Sequence, residues 1–406
     1  MFEVEFEKLQ LNKVLVVLRS CGSQWQKSFI KSLESGRAGV DLADPIVREQ
    51  ALSYPEGFIH NMAKPALLYN LQRAPELLPL LAQEEVAQGP FVAVTEQSHY
   101  LLDRLVEQGS AESEALREAD AVVDNDELLV KLAIVELPLE AGERAPFVPD
   151  SEGNSGRSAR KAKNVLESIV LGSLRRQEDS SDKQFYTSFI KSMVRHQIME
   201  QTTVSDDIKF YRFLGMAASM TGTVVNYARL ASTVGITAPT AKQWLQFLAG
   251  TGLVYLLQPL EGVAGKRLVK APKLYFRDTG MAAALLQLPD AASVMQSVYY
   301  KNLFENYVVN EIRESYLEQG VEPKLLFYKD SNYKEISLIL EVAGKLYAVA
   351  ITKDEFKTSK LYKDFQILAP YAEEHGLELG NGCIIGMGKP EAFLEHGICY
   401  AAAEKL

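Results

Sequence analysis

The sequence predicts an α/β protein: a parallel-sheet domain, then a helical and winged-helix region, then a small α/β domain. Strand-like apolar runs at 14–18, 66–71, 91–95 and 132–137 alternate with helical stretches, as in a parallel sheet with helices on both faces. Residues 185–290 turn helical and then hairpin-like. Residues 291–406 combine one long helix with several short strands.

The first run opens the stretch around which the chain is organised, VLVVLRSCGSQWQKSFIKSL at 14–33. Five apolar residues, Val14 to Leu18, read as a strand buried on both faces, and Phe29, Ile30 and Leu33 recur at helical spacing behind Lys27 and Ser28. Strand, polar loop, then Lys-Ser at a helix start is the frame of a phosphate-binding loop. In a working G-x-x-x-x-G-K-S/T loop the glycines let backbone N–H groups close on phosphate oxygens, the lysine reaches the terminal phosphates and the hydroxyl holds Mg²⁺. Here Cys21 and Gln26 occupy the two glycine positions, and Gly22 is one position out of register. A side chain at either place obstructs the turn or the close approach of the phosphates. The remnant set is therefore Gly22, Lys27 and Ser28.

With 406 residues, 47% of them hydrophobic and 24% charged, the chain is long enough for two or three domains with real cores. No apolar run approaches a transmembrane span, and the start, MFEVEFEKLQ, is acidic and unlike a signal peptide, so a cytoplasmic protein with no membrane partner is expected. Three cysteines, Cys21, Cys383 and Cys399, are too few and too scattered for a disulfide framework or a four-ligand zinc site. A net charge of −10 argues against a surface that coats nucleic acid indiscriminately, while leaving room for a local basic face.

Taken in order, residues 1–140 form the parallel-sheet domain. Within it Asp44-Pro45 reads as a capped helix start and Pro55 as a break. Residues 141–184, rich in Gly, Ser, Pro and charge, read as a linker or insertion; its Arg157, Arg160, Lys161 and Lys163 suit a solvated helix end better than a phosphate site. In 185–290, Gly235 ends one helix and Thr237 and Pro239 start the next. Ala241, Trp244, Leu245 and Leu248 form the inward stripe of that second helix, and strands at 253–257 and 273–276 flank the basic segment GKRLVKAPK. That order is a winged helix-turn-helix. Its DNA-binding reading turns Thr240, Lys242, Gln243 and Gln246 toward a groove and sets Lys266, Arg267 and Lys270 on phosphates. A winged helix used only for packing or oligomerisation fits the residues equally well. Residues 291–406 carry a helix at 304–317 and strands at 325–328, 336–340, 346–351 and near 383–385.

With these residues in view the chain resembles the prokaryotic AAA-type ATP-binding proteins that carry a C-terminal domain of unknown function, number 4143. The resemblance is carried by TGTVVNYARLASTVGITAPTAKQWLQFLAGTGLVYLLQPL, GKRLVKAPKLYFRDTGMAAALL and LFENYVVNEI, and more loosely by LLYNLQRAPELLPLL and FVAVTEQSHYLL, which resemble a Walker B strand and a sensor strand. It implies an AAA-type P-loop domain in front and a C-terminal domain resembling a PD-(D/E)xK nuclease. The departures lie at the chemistry. Tyr69 and Asn70 stand where the family has paired acids, and neither takes up a proton usefully near pH 7. Thr95-Glu96-Gln97-Ser98 replaces a Thr-Gly-Ser sensor, and Arg195, where the family has an arginine between acids, lies between Val194 and His196. In the nuclease-like domain Glu335 is followed by Ser337, and Ala350 and Thr352 stand where an acid and a lysine belong; Lys353 comes one residue late. Glu305 and Glu311 read as ordinary helix carboxylates.

Damaged catalytic constellations inside intact apolar periodicity describe a catalytically degenerate family member, retained for binding DNA, a protein partner or an active relative in a mixed oligomer, with no catalytic residue and no metal site. The alternative is an ATPase that uses ATP and Mg²⁺ through Lys27 and Ser28 in an unusual loop; a metal-dependent nuclease fits the residues least.

Overall fold

The computed structural model describes residues 2–20, 24–84, 91–95, 132–139, 145–149, 164–177, 185–194, 207–263, 267–332, 334–353, 363–387 and 398–406. The chain divides into two compact units: 1–141 with 244–253 and 317–320, and 142–243 with 254–316 and 321–406.

In the first unit α1 (Phe2–Asn12), β1 (Leu15–Arg19), α2 (Gln24–Leu33), β2 (Ala38–Asp41), α3 (Pro45–Ser53), α4 (Pro55–Asn61), β3 (Ala66–Tyr69), α5 (Leu78–Gln83), β4 (Phe91–Thr95) and β5 (Leu132–Glu136) follow one another. The strands are all parallel, in the order β2-β3-β4-β1-β5. Val14, Leu15 and Val17 enter one core with Leu42, Ile59 and Leu68, whereas Val16 and Leu18 enter the other with Phe29, Leu33 and Val92. Burial on both faces is why β1 reads as an unbroken apolar run. On the second face Phe29 meets Phe2 and Phe6 edge-on at 5.4 Å and stacks on Trp25 at 5.3 Å, joining α1 to α2. Each such ring pair adds about 0.5–1.5 kcal/mol beyond its buried area. Asp44 caps α3 as its sequence suggests, its carboxylate accepting from Ile46 N at 2.8 Å. Strand β2 escapes a sequence reading: it is four residues long at the sheet edge, and its exposed Gly39 and Asp41 leave no apolar run.

The second unit holds α6 (Val165–Gln177), α7 (Phe185–Met193), α8 (Asp207–Ser219), β6 (Thr223–Val224) and α9 (Tyr227–Val234). Helix α10 (Ala238–Gly250), whose residues from Trp244 on count with the first unit, then leads to β7 (Val254–Pro259), β8 (Lys273–Phe276), α11 (Thr279–Leu285), α12 (Ala291–Gln296) and α13 (Tyr300–Leu317), the last residue of which also counts with the first unit. Strands β9 (Lys324–Lys329), β10 (Glu335–Val342) and β11 (Lys345–Thr352), helix α14 (Ala369–Glu374), and strands β12 (Glu378–Leu379), β13 (Cys383–Gly386) and β14 (Cys399–Ala402) complete it. Its mixed sheet runs β14-β13-β11-β10-β9-β7-β8-β6, with β12 beside β11.

The helix-turn-helix forms as its punctuation dictates. Gly235 takes φ 79°, a conformation costly for any residue with a Cβ, and its N–H bonds Ala231 O to close α9. On α10 Ala241, Leu245 and Leu248 are buried, while Trp244 is only half-buried at the edge of the expected inward stripe. The hairpin differs from a free wing. Strand β7 pairs antiparallel with β8 on one side and parallel with β9 on the other, so the wing is built into the sheet.

A buried polar seam joins β8 to α13. Asn306, Asn310 and Glu314 recur every four residues and so share one face of the helix. Asn306 accepts from Phe276 N at 3.0 Å and donates to Phe276 O at 2.7 Å; Asn310 donates to Phe276 O and Arg277 O, both at 2.8 Å; Glu314 pairs with Arg277 at 2.8 Å. Beside them the Lys273 ammonium, 1% exposed, lies 2.8 Å from Glu305 and 2.6 Å from Glu335, and the Tyr275 hydroxyl donates to Glu305 at 2.7 Å. Glu305, read from sequence as an ordinary helix carboxylate, is 4% exposed and fully engaged. Its partners come from a hairpin far back in the chain, which helical spacing cannot reveal. Burial alone would lower the Lys273 pKa, but the two carboxylates outweigh it and hold the ammonium above its ordinary value. Burial likewise would raise the Glu335 carboxyl, and Lys273, assisted by Lys329, holds it below.

Removing one partner of such a pair leaves a buried charge uncompensated. Lys273→Met is expected to lower unfolding free energy by roughly 3–5 kcal/mol, and Lys273→Met/Glu305→Gln to recover much of that loss, as read from urea midpoints. Because the Glu335 pKa is depressed on folding, its contribution is complete above its ordinary 4.5 and is lost as pH falls through the lower folded value. This acid limb of the stability profile is expected to flatten in Lys273→Met.

Candidate functional site

The carboxyl ends of β1, β3 and β2, where an open parallel sheet places its ligand, hold the residues read from the sequence as a nucleotide-site remnant. Cys21 and Gly22 lie outside the described residues, as do the sensor residues after Thr95 and Arg195. Lys27 and Ser28 stand exposed on the first turns of α2. Gln26 is fully buried. Its amide donates to Leu137 O at 3.0 Å and Pro138 O at 3.2 Å and accepts from the Ser20 hydroxyl at 3.1 Å. The residue in the second glycine position thus ties the end of β1 to the chain just beyond β5, and serves as part of the core.

At the end of β3 the Tyr69 hydroxyl donates to Glu34 at 2.8 Å. Burial, then Glu34 and Asp41, push its pKa well up, so this phenol donates a hydrogen bond and never acts as a base. Asn70 adopts φ 59°, a left-handed conformation that Asn tolerates better than most residues, and donates to Asp41 at 2.8 Å. Asp41 also accepts from Ala43 N at 2.9 Å, so this carboxylate closes its own loop. Neither Walker-type position offers a group to activate water, and the residues present do not fit Mg-ATP hydrolysis.

In the mixed-sheet region Ser337, Ala350 and Thr352 lie on β10 and β11, and the Ser337 hydroxyl accepts from Ile351 N at 3.4 Å. Lys353 extends past β11, its ammonium 5.4 Å from the ring of Tyr300. The two carboxylates that do converge, Glu305 and Glu335, meet on the Lys273 ammonium. Among the described residues no group of three or more His, Cys, Asp or Glu could hold a metal ion. A hard divalent ion needs several convergent oxygens, so these residues do not fit one.

The groups aimed outward belong to the helix-turn-helix and the loop after β7. Lys242, Gln243 and Gln246 are exposed on α10, and Arg267 and Lys270 are exposed before β8; Lys266 lies outside the described residues. Thr240 is half-buried, and its hydroxyl lies 2.8 Å from that of Thr237, which also accepts from Thr240 N. The structure therefore gives Thr240 a part in starting α10.

Two family models match the chain. Residues 172–292 match a domain of unknown function, DUF8612, and residues 300–402 match a second, DUF4143. Of the stretches that carried the family resemblance, only LFENYVVNEI falls in the second model; the helix-turn-helix and hairpin fall in the first. Two curated relatives, uncharacterized proteins of Mycobacterium bovis and Mycobacterium tuberculosis, are each 27% identical over 139 residues, 34% of this chain. That match spans 30% of the length of each relative. Among solved structures, Can2 from Sulfobacillus thermosulfidooxidans in complex with cyclic tetra-adenylate aligns over 95% of this chain and 94% of its own, at 10% identity and a TM-score of 0.20. A score that low carries no argument about this fold. Among the described residues no helix is long and apolar enough to cross a membrane. The chain is thus an α/β protein with a P-loop-like parallel sheet, a helical region and a mixed-sheet region.

Losing the Gln26 amide strands the Leu137 and Pro138 carbonyls and the Ser20 hydroxyl in the core. Gln26→Ala is expected to cost about 1–3 kcal/mol by chemical denaturation, with no gain in nucleotide affinity, because Tyr69 and Asn70 remain.

Proposed function

We propose that this chain is a non-hydrolysing member of the AAA-type ATP-binding proteins that acts by binding duplex DNA through its helix-turn-helix. The division into 1–140, a linker 141–184, 185–290 and 291–406 is part of the same proposal. The observation that carries it is the contrast between the two ends of the molecule's chemistry. Apart from the exposed Lys27 and Ser28, the residues at the nucleotide-type and metal-type positions, Gln26, Tyr69, Asn70, Glu305 and Glu335, are bonded within the fold, whereas Lys242, Gln243 and Gln246 stand exposed along α10. An exposed glutamine on such a helix matches the paired donor and acceptor of adenine in the major groove, and lysine matches phosphate. The acidic balance of the chain keeps this affinity modest in a monomer and favours an oligomer that repeats the face.

Two measurements test the reading. The purified chain is expected to release no phosphate from Mg-ATP above background, and Lys27→Ala to change nothing; turnover abolished by that substitution would instead establish the ATPase alternative. In gel shifts at low salt, Lys242→Glu is expected to weaken retention of all duplexes alike, whereas Gln243→Ala and Gln246→Ala relax preference at single base pairs by about 1–3 kcal/mol each. Equal retention by wild type and Lys242→Glu would discard the DNA-reading helix and leave a protein partner or an active relative as the occupant of this module.

A further inference from the structure

Residues 267–269 of the loop between β7 and β8 are anchored to another part of the fold. Leu268 forms an antiparallel bridge with Asp330, Val269 N donates to Lys329 O at 3.1 Å, and Ser331 N donates to Arg267 O at 3.0 Å. The wing loop is thus bonded, backbone to backbone, to the turn between β9 and β10. The acid at this junction is spent inward. Asp330 is 3% exposed, and its carboxylate accepts from Tyr328 OH at 3.0 Å, Asn332 N at 2.8 Å and Lys334 N at 3.0 Å.

The cations at the junction are differently placed. Arg267 and Lys270 are exposed and form no ion pair among the described residues. The Lys334 side chain is 49% exposed, and its nearest carboxylate, Asp364, lies at 3.7 Å, beyond hydrogen-bond distance. Lys329 differs, since it is held by Glu335 at 2.7 Å. One exposed acid, Glu261, shares the loop.

We propose that the joined loop and turn form one phosphate-binding surface, in which Lys334 acts with Arg267 and Lys270 on the backbone of duplex DNA. The inference rests on the DNA-binding reading above and adds to it a residue outside the helix-turn-helix. Hydrogen bonds between the two segments fix the backbones that carry the cations, so less freedom is lost when phosphate arrives. Because Asp330 is already saturated by its own turn, and Asp364 only loosely engages Lys334, these charges meet phosphate with little competition. Contacts of this kind set register and affinity and carry no sequence information.

The test is fluorescence anisotropy of a short labelled duplex titrated with the full chain across a KCl series, for wild type, Lys334→Gln and Arg267→Gln/Lys270→Gln. Each lost contact is expected to reduce the slope of log affinity against log salt by roughly 0.9, so the single variant loses about one unit and the double about two. Lys334→Gln alters an exposed side chain, and an unchanged melting temperature confirms its fold. A slope unaltered in Lys334→Gln but reduced in the double variant would overturn the shared surface and leave the DNA reading standing. No retention of DNA by wild type at low salt would overturn both. Labelled polyglutamate bound as tightly as DNA, with the same dependence on Lys334, would assign the surface to an acidic protein and overturn the proposal.

Discussion

A lysine ammonium that is 1% exposed is the constraint on which the second unit depends. Removing such a charge from water costs several kcal/mol, recovered only if its partners converge in good geometry. Lys273 on β8 therefore requires Glu305 on α13 and Glu335 on β10 to be in place together. The neighbouring Asn306, Asn310 and Glu314 then bind the backbone and Arg277 beyond the same strand, so helix, hairpin and sheet are specified by one seam. Since Lys273 lies in the stretch matched to one domain of unknown function and both carboxylates lie in the other, the seam makes the two stretches one packing unit. A second hub repeats the device. Asp278 accepts from Leu174 N, Met281 N and Tyr186 OH, and Gly172 takes φ 63° beside it, where a Cβ would stand 2.1 Å from the Tyr186 oxygen.

The same physical arrangement recurs at the two places where the sequence was read for chemistry. In the first unit an amide of the chain itself, Gln26, fills the position that a phosphate loop keeps empty with glycine, and the Leu137 and Pro138 carbonyls absorb its donors. In the second, an ammonium of the chain lies between two carboxylates that could otherwise share a cation. Each arrangement adds internal cohesion. The fold is then stable without nucleotide or metal, whereas a site built of unpartnered carboxylates or an open loop stores strain that only the ligand relieves.

How much of this was legible depends on range. The parallel sheet, the caps at Asp44 and Gly235, and strand β8 follow from local periodicity and turn chemistry, and each appears where the residues place it. Strand β2 was invisible because Gly39 and Asp41 leave it no unbroken apolar run, and strand β14 because four residues, Cys399 to Ala402, are too short and too Ala-rich to tell from a helical stretch. The wing's incorporation into the sheet was invisible for another reason: the pairing of β7 with β9 joins residues too distant in sequence for any periodicity to record. Among site residues, the side-chain chemistry of Tyr69, Asn70, Ala350 and Thr352 could be read from the sequence alone. The engagement of Gln26 and Glu305 could not, because a polar residue on a helix is by default a solvated one. Their one sequence signal was a polar residue at a position whose helical neighbours are apolar.

The net charge of −10 and a cationic junction coexist because electrostatics in salt water is local. At physiological ionic strength the screening length is about 8 Å, so the acidic remainder of the chain repels a polyanion only weakly at contact distance. Its repulsion acts during approach. A polyanion arriving at the joined loop and turn would meet Arg267, Lys270 and Lys334, with Asp330 held by its own turn and Asp364 set back at 3.7 Å from Lys334. In the proposed reading the acidic balance would disfavour non-specific coating, and the backbone pairing that joins the two segments would present a surface already formed.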